Sequence, residues 1–391
     1  MLSIVCERET RHDRTKGVAL NSIVQKRITT IRQDMAEKEL DALMVSVQEN
    51  RYYLSGFSAE DTQFDETAGV LIISDRHLAL ATDSRYELQA QAEATGFEIV
   101  CYKRGFEKEL PRIAKSLGIH RLGFESVRLS HKNHSAYAGA LGKQKPPVEL
   151  VPTENMVETL RQIKSEDEIQ RITNALRLAE QAFSQVLDTI RPGMTERQAA
   201  WALEKTMRET GAQGLSFPVI VASGPNSALP HAVPTDRMLG RGEPILFDWG
   251  ARLNEYCSDT TRTVVIGEPD DRFKKAFDTV VTARDMAIAA IKAGVSGTQV
   301  DKIARDHIDQ NGYAGKFGHS LGHGTGLAVH EGPRLSPIKD DRLEAGMVVT
   351  VEPGVYLPEW GGIRMENQVV VRQDGAQVLN DATPFNPRVP V

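Results

Sequence analysis

Two rhythms of apolar and polar positions run along this chain, and they change character near residue 150. In residues 23–151, short apolar runs alternate with stretches at helical spacing. Ile28, Ile31 and Met35 recur at helical intervals. Residues 42–47 form a short, mostly apolar run. Residues 70–74 and 78–81 are strand-like and joined by Asp75-Arg76-His77, and residues 98–102 and 121–124 read as further strands. This alternation predicts a mixed sheet flanked by helices. Residues 143–153 are rich in Lys and Pro with little periodicity and read as a linker.

A longer amphipathic pattern follows. Ser165 and Glu168 have the spacing of a capping box, and Ile169, Ile172, Leu176, Ala179, Phe183, Val186 and Ile190 then make one apolar stripe. Thr195 with Gln198 starts a second helix running to Gly211. The pattern returns 101 residues later: Gly193, Gln198, Gly211 and Gly214 are echoed by Gly294, Gln299, Gly312 and Gly315. The second frame is again preceded by a long amphipathic stripe of Phe273, Phe277, Val280, Ile288 and Ile291. A duplicated helix-helix-strand unit would build a pseudo-symmetric shell with a site at its centre.

Composition then bounds the molecule. A chain of 391 residues fits two domains. The reading is a polar extension over residues 1–22, an α/β domain over 23–151 and a larger α+β domain over 160–391. The net charge of −6 argues against a nucleic-acid binder with a broad basic surface. Cys6, Cys101 and Cys257 show neither zinc-ligand nor redox spacing, which suits a reducing compartment. No apolar run approaches the ~20 residues of a membrane span, and the N-terminus lacks a signal-like apolar region. The expectation is a cytoplasmic protein with no membrane or nucleic-acid partner.

Three segments of the larger domain carry candidate chemistry. In residues 245–263, two strand-like runs flank a turn near residues 252–255, so a hairpin would set Asp248 beside Asp259. An aspartate inside an apolar strand is rarely buried without a partner or a metal. In residues 319–331, His319, His323 and His330 fall close together among glycines that let backbone approach a site. Near the end, Glu352 follows a β-branched run, and alternation along a strand puts Arg364 and Glu366 on one face. Taken singly, each is more often a structural group. Together, two Asp, two Glu and one His make an oxygen-rich set suited to Mn²⁺, with Co²⁺ and Zn²⁺ as alternatives. Four carboxylates exceed what one divalent ion neutralises, and two ions roughly 3.5–4 Å apart would balance them.

These motifs resemble the pita-bread metallopeptidases, the family of methionine aminopeptidase, aminopeptidase P and prolidase. Asn50-Arg51-Tyr52-Tyr53-Leu54-Ser55-Gly56-Phe57 and Thr82-Asp83-Ser84-Arg85-Tyr86 look like the N-terminal domain of the aminopeptidase P, prolidase and creatinase branch. The resemblance implies a C-terminal pita-bread domain behind a smaller creatinase-like mixed α/β domain. It implies metal ligands Asp248, Asp259, His323, Glu352 and Glu366, with Glu352 also a general base. It further implies catalytic histidines His231 and His330, a substrate-side His319, and Arg364 supporting the bridging ligands. One departure stands out: where the family often has Gly before the hairpin tyrosine, this chain has Glu255. By this resemblance the chain is expected to be an Xaa-Pro aminopeptidase, a homodimer acting on peptides with a free N-terminus and proline at the second position. An Xaa-Pro dipeptidase is the nearest alternative. Creatinase-like or lyase chemistry and a non-catalytic binding protein stand further off, because the ligand set is intact.

Overall fold

The computed structural model describes residues 20–61, 63, 66–380 and 386–389. Most of the polar extension expected over residues 1–22 lies outside these. Its last residues do not continue it, since Asn21 caps the first helix by accepting the Ile23 N–H. The chain divides into two compact units, Met1–Val157 and Glu158–Val391.

The first unit is built on one six-stranded sheet. Its strands are β1 (Ala42–Val45), β2 (Val70–Ser74), β3 (Leu78–Thr82), β4 (Glu98–Cys101), β5 (Arg121–Glu125) and β6 (Glu149–Thr153), in the order β4-β3-β2-β1-β5-β6. The pairs β1–β2 and β2–β3 are antiparallel, and β3–β4, β1–β5 and β5–β6 are parallel. Its helices are α1 (Ser22–Glu37), α2 (Gln48–Ser55), α3 (Glu87–Glu93), α4 (Phe106–Ser116) and α5 (His131–Leu141). Ile28, Ile31 and Met35 are buried as their spacing predicts. The linker expected over residues 143–153 is a correction, because residues 149–153 form β6, in register with β5. The composition misleads for a physical reason. β6 is an edge strand, where Pro152 and charged residues are tolerated and keep the open edge from pairing further.

In the second unit the 101-residue echo is a structural repeat. After α6 (Met156–Gln162), within which the division falls, come α7 (Glu166–Leu187) and α8 (Glu196–Glu209). Their counterparts are α9 (Asp271–Ala290) and α10 (Gly297–Ile308). Both expected capping boxes form, Ser165 with Glu168 and Thr195 with Gln198. Buried residues recur at the same offset: Ala179 and Val280, Val186 and Ala287, Ile190 and Ile291, Leu203 and Ala304, Met207 and Ile308. Each member packs in its own core, one around Phe183, Phe247 and Trp249, the other around Phe273, Val349 and Val369. Gly193 and Gly294 share φ = 87°, a left-handed conformation that favours glycine. Each glycine N–H donates to a leucine carbonyl, Leu239 in one half and Leu343 in the other.

The strands follow the same plan. The first half supplies β7 (Gly214–Leu215), β8 (Ile220–Ser223), β9 (Pro244–Trp249), β10 (Ala251–Leu253), β11 (Tyr256–Cys257) and β12 (Thr260–Ile266). The second supplies β13 (Gly322–Gly324), β14 (Glu331–Leu335), β15 (Val348–Val351), β16 (Gly354–Leu357), β17 (Gly361–Arg364), β18 (Asn367–Val371) and β19 (Ala376–Val378), with β20 (Arg388–Val389) at the end. β8, β9, β12 and β20 form one sheet, and β14, β13, β15, β18 and β19 another. In each sheet an antiparallel pair, β9 with β12 and β15 with β18, places acidic residues at its end. The turn between β10 and β11 is a two-residue hairpin with φ of 49° at Asn254 and 70° at Glu255. Such primed turns match the twist of the strands they join and suit Asn-Gly. Glu255 therefore holds the conformation glycine adopts freely, anchored by its N–H to Gln213 Oε1.

Candidate metal centre

The site begins with the β9–β12 ladder. Asp248 stands opposite Thr261, and Asp259, two residues before Thr261, falls on the same face as a diagonal neighbour. The hairpin thus brings the two aspartates together, though not as a direct cross-strand pair. Glu366 joins them from the stretch between β17 and β18, its N–H donating to the Thr261 carbonyl. One ligand atom from each of Asp248, Asp259 and Glu366 lies within 4.8 Å of the others.

His323 comes from β13, where close packing requires glycine. A Cβ at Gly322 or Gly324 would collide with the carbonyl of Thr350 or Gly332. The His323 Nε2 lies 3.5 Å from Asp259 Oδ2 and 3.4 Å from Glu352 Oε1. Its Nδ1 is 3.1 Å from the Gly324 carbonyl, which accepts only, so Nδ1 carries the proton. Burial and the neighbouring His330 push this imidazole down to about 3. Neutral and protonated on Nδ1, it turns the Nε2 lone pair towards two carboxylates.

That arrangement fits a cation. Lone pairs of one imidazole and four acidic side chains converge, and two buried oxygens, Asp248 Oδ1 and Glu366 Oε1, lack a hydrogen-bond partner. Burial and mutual repulsion raise the acids: Asp259 and Glu366 are driven well above the carboxylate range, and Glu352 up to about 7. A divalent ion would relieve both costs, and the oxygen-rich donor set suits one.

Around this cluster Arg364 organises the wall. It is buried and donates to Asp248 Oδ2 at 2.6 Å, Tyr356 Oη at 2.9 Å, Thr261 Oγ1 at 3.1 Å and the Pro230 carbonyl at 3.2 Å. The strand alternation suggested a direct contact with Glu366. Instead β17 ends at Arg364, its direct carboxylate partner is Asp248, and it reaches Glu366 only through Thr261. His319 lies 2.8 Å from Tyr356 through Nε2 and 2.8 Å from the Ser320 carbonyl through Nδ1. Both ring nitrogens are engaged within the protein, and burial pushes the ring down to about 4.

His231 and His330 are exposed at the mouth of a cavity of about 470 Å³, with the His330 ring edge-on to His323 at 4.4 Å. Asp248, Asp259, His323, Glu352 and Arg364 line the polar side. Phe217, Pro218, Val219, Ile220 and Val233 form an apolar wall, and Arg334 adds a second cation. The sequence reading missed this wall, Arg334 and Tyr356. Tyr356 had a local signal in its place soon after Glu352-Pro353-Gly354, whereas the wall comes from segments with no motif.

Comparison with known proteins gives the fold its relatives. Residues 27–163 match the creatinase/prolidase N-terminal domain, and residues 170–373 match metallopeptidase family M24. The chain is 38% identical over 353 residues to the uncharacterized peptidase YqhT of Bacillus subtilis, covering 90% of this chain and 97% of that protein. Among solved structures it is similar to an Xaa-Pro dipeptidase from Bacillus anthracis, with a TM-score of 0.87, 38% identity and coverage of 93% and 99%. It is also similar to an X-Pro aminopeptidase from Thermotoga maritima, with a TM-score of 0.82, 38% identity and coverage of 92% and 100%. The expected pita-bread domain behind a creatinase-like domain is therefore present, and the chain is a peptidase of metallopeptidase family M24.

Proposed function

We propose that this chain hydrolyses the bond between an N-terminal residue and proline, using two divalent metal ions held by Asp248, Asp259, His323, Glu352 and Glu366. The observation that carries this reading is the His323 Nε2 lone pair facing Asp259 and Glu352, beside the converging acids and their partnerless oxygens. Mn²⁺ suits the donor set best, with Co²⁺ and Zn²⁺ as alternatives. By the family resemblance the working protein is a homodimer.

When bound, divalent ions supply a nucleophile at neutral pH and polarise a carbonyl. The chain's own groups do the rest. Glu352, beside His323 Nε2, takes the proton of the attacking water and delivers it to the departing proline nitrogen. His231 and His330 at the cavity mouth donate hydrogen bonds to the oxygen that gains charge. Arg364 holds Asp248 and keeps its ring of partners in place. The substrate's free amino terminus approaches the metal-carboxylate cluster, and the apolar wall at Phe217–Ile220 takes its side chains.

Aminopeptidase action on longer peptides is supported by the open rim: Val233 is 78% exposed, and Phe217, Pro218 and Val219 also line an adjoining surface hollow beside Trp201. Arg334 favours the second reading, an Xaa-Pro dipeptidase, because a guanidinium in the cavity is suited to hold the carboxylate of a dipeptide. The test is an assay of Mn²⁺-loaded protein on an Xaa-Pro dipeptide and an Xaa-Pro-Xaa tripeptide, with Glu352→Ala as control. Tripeptide cleavage lost in the variant establishes the aminopeptidase, and cleavage of the dipeptide alone establishes the dipeptidase. Cleavage of neither, with metal bound, refutes the proposal.

A further inference from the structure

Two buried threonines bind the site's glutamates in a way that fixes where their protons go. Thr261, on β12, and Thr350, on β15, are both fully buried. Thr261 Oγ1 lies 3.1 Å from Arg364 Nε and 2.9 Å from Glu366 Oε2. Thr350 Oγ1 lies 3.0 Å from the His323 backbone nitrogen and 3.2 Å from Glu352 Oε1. A guanidinium N–H and a backbone N–H can only donate. Each hydroxyl oxygen is therefore an acceptor towards that partner, and its single proton is committed to the carboxylate.

We infer that Thr261 and Thr350 are positioning residues for the metal ligands: each hydroxyl donates to one oxygen of a glutamate and so fixes how that carboxylate is set in the cluster. This inference rests on the metal-binding reading above. For Glu366 the consequence is visible. Oε2 takes the threonine proton, while Oε1 is the buried oxygen without a partner. Thr350 ties two ligands together, since the N–H it accepts is that of His323 and the oxygen it donates to is that of Glu352. Thr261 in turn links Arg364, the partner of Asp248, to Glu366. A hydroxyl is needed in both places, because a methyl group of the same size would leave an N–H and a carboxylate oxygen unsatisfied. Partners of this kind orient ligands, and losing one typically costs 10–100-fold in metal affinity.

The test measures Mn²⁺ affinity of the full chain by equilibrium dialysis, for wild type, Thr261→Val, Thr350→Val, Thr261→Ser and Thr350→Ser, with the fold of each metal-free variant checked by circular dichroism. Valine keeps the shape and β-branching, and serine keeps the hydroxyl. The expected result is 10–100-fold weaker binding in each valine variant and near wild-type binding in each serine variant. Wild-type affinity in a folded valine variant overturns the inference, as does a serine variant as weak as its valine counterpart. Where a valine variant does not fold, the serine variant decides: wild-type affinity upholds the assignment and a 10–100-fold loss overturns it. If the wild-type chain itself binds no divalent ion, the proposed function fails instead, and the two failures are distinct.

Discussion

Stripped of metal, this protein should lose the stability that Glu352 contributes as pH rises from 5 to 7.5. Burial and the facing Asp248 carry its carboxyl from the ordinary 4.5 up to about 7 in the folded chain. Between those values the folded state holds a proton that the unfolded state has released. The stabilisation is complete below pH 4.5 and is lost as pH climbs through 7. A shift of this size corresponds to ~3 kcal/mol in total, of which about 2–3 kcal/mol falls between pH 5 and 7.5. Asp259 and Glu366 shift in the same direction, whereas His319 and His323, pushed down to about 4 and about 3, change stability in the opposite sense over this window, so the comparison of wild type with a variant carries the test. Glu352→Gln isolates the single group, because the amide does not titrate. The assay is urea unfolding of chelator-treated protein, followed by tryptophan fluorescence. All three tryptophans, Trp201, Trp249 and Trp360, lie in the second unit, so the signal reports the part that holds the cluster. Wild type and variant should have similar stability at pH 5, with the variant ahead by about 2–3 kcal/mol at pH 7.5. A gap that does not change with pH would refute the reasoning.

Other perturbations test the surroundings. Replacing Arg364 by Leu leaves the half-buried Asp248 without its ion-pair partner and should cost up to about 3–5 kcal/mol by chemical denaturation; Arg364→Lys should not restore activity, since one ammonium cannot serve four separated acceptors. Glu331 is buried between Arg161 and Lys164; burial alone would raise its carboxyl, but the two cations outweigh it and hold it below the usual range. Its stabilisation is present above the ordinary pKa and lost as pH falls through the folded value, and Glu331→Gln should lower stability at pH 7 by about 3–5 kcal/mol in the same fluorescence assay. Glu255→Gly removes a left-handed glutamate and should raise stability by about 1 kcal/mol, read as a higher denaturation midpoint with unchanged slope.

The sequence by itself determined the elements and the ligand types. The stripes on α1, α7 and α9, the capping boxes at Ser165 and Thr195, and the 101-residue echo are local or periodic, and the folded chain keeps them because burying an apolar face is what stabilises each helix. The unusual acids and histidines in apolar or glycine-rich runs likewise stood out, because charge inside a strand is costly without a purpose. Only the tertiary structure decided which groups meet. Asp248 is drawn to Arg364 across 116 residues, and His323 turns Nε2 towards Asp259 and Glu352. His319 spends both its ring nitrogens on Ser320 and Tyr356, and Thr261 stands between Arg364 and Glu366. Residues 149–153 became an edge strand against their own composition, since pairing with β5 satisfies a backbone that local propensity left open. Pairing partners, proton directions and cavity walls depend on segments brought together from distant parts of the chain, and no local pattern carries that information.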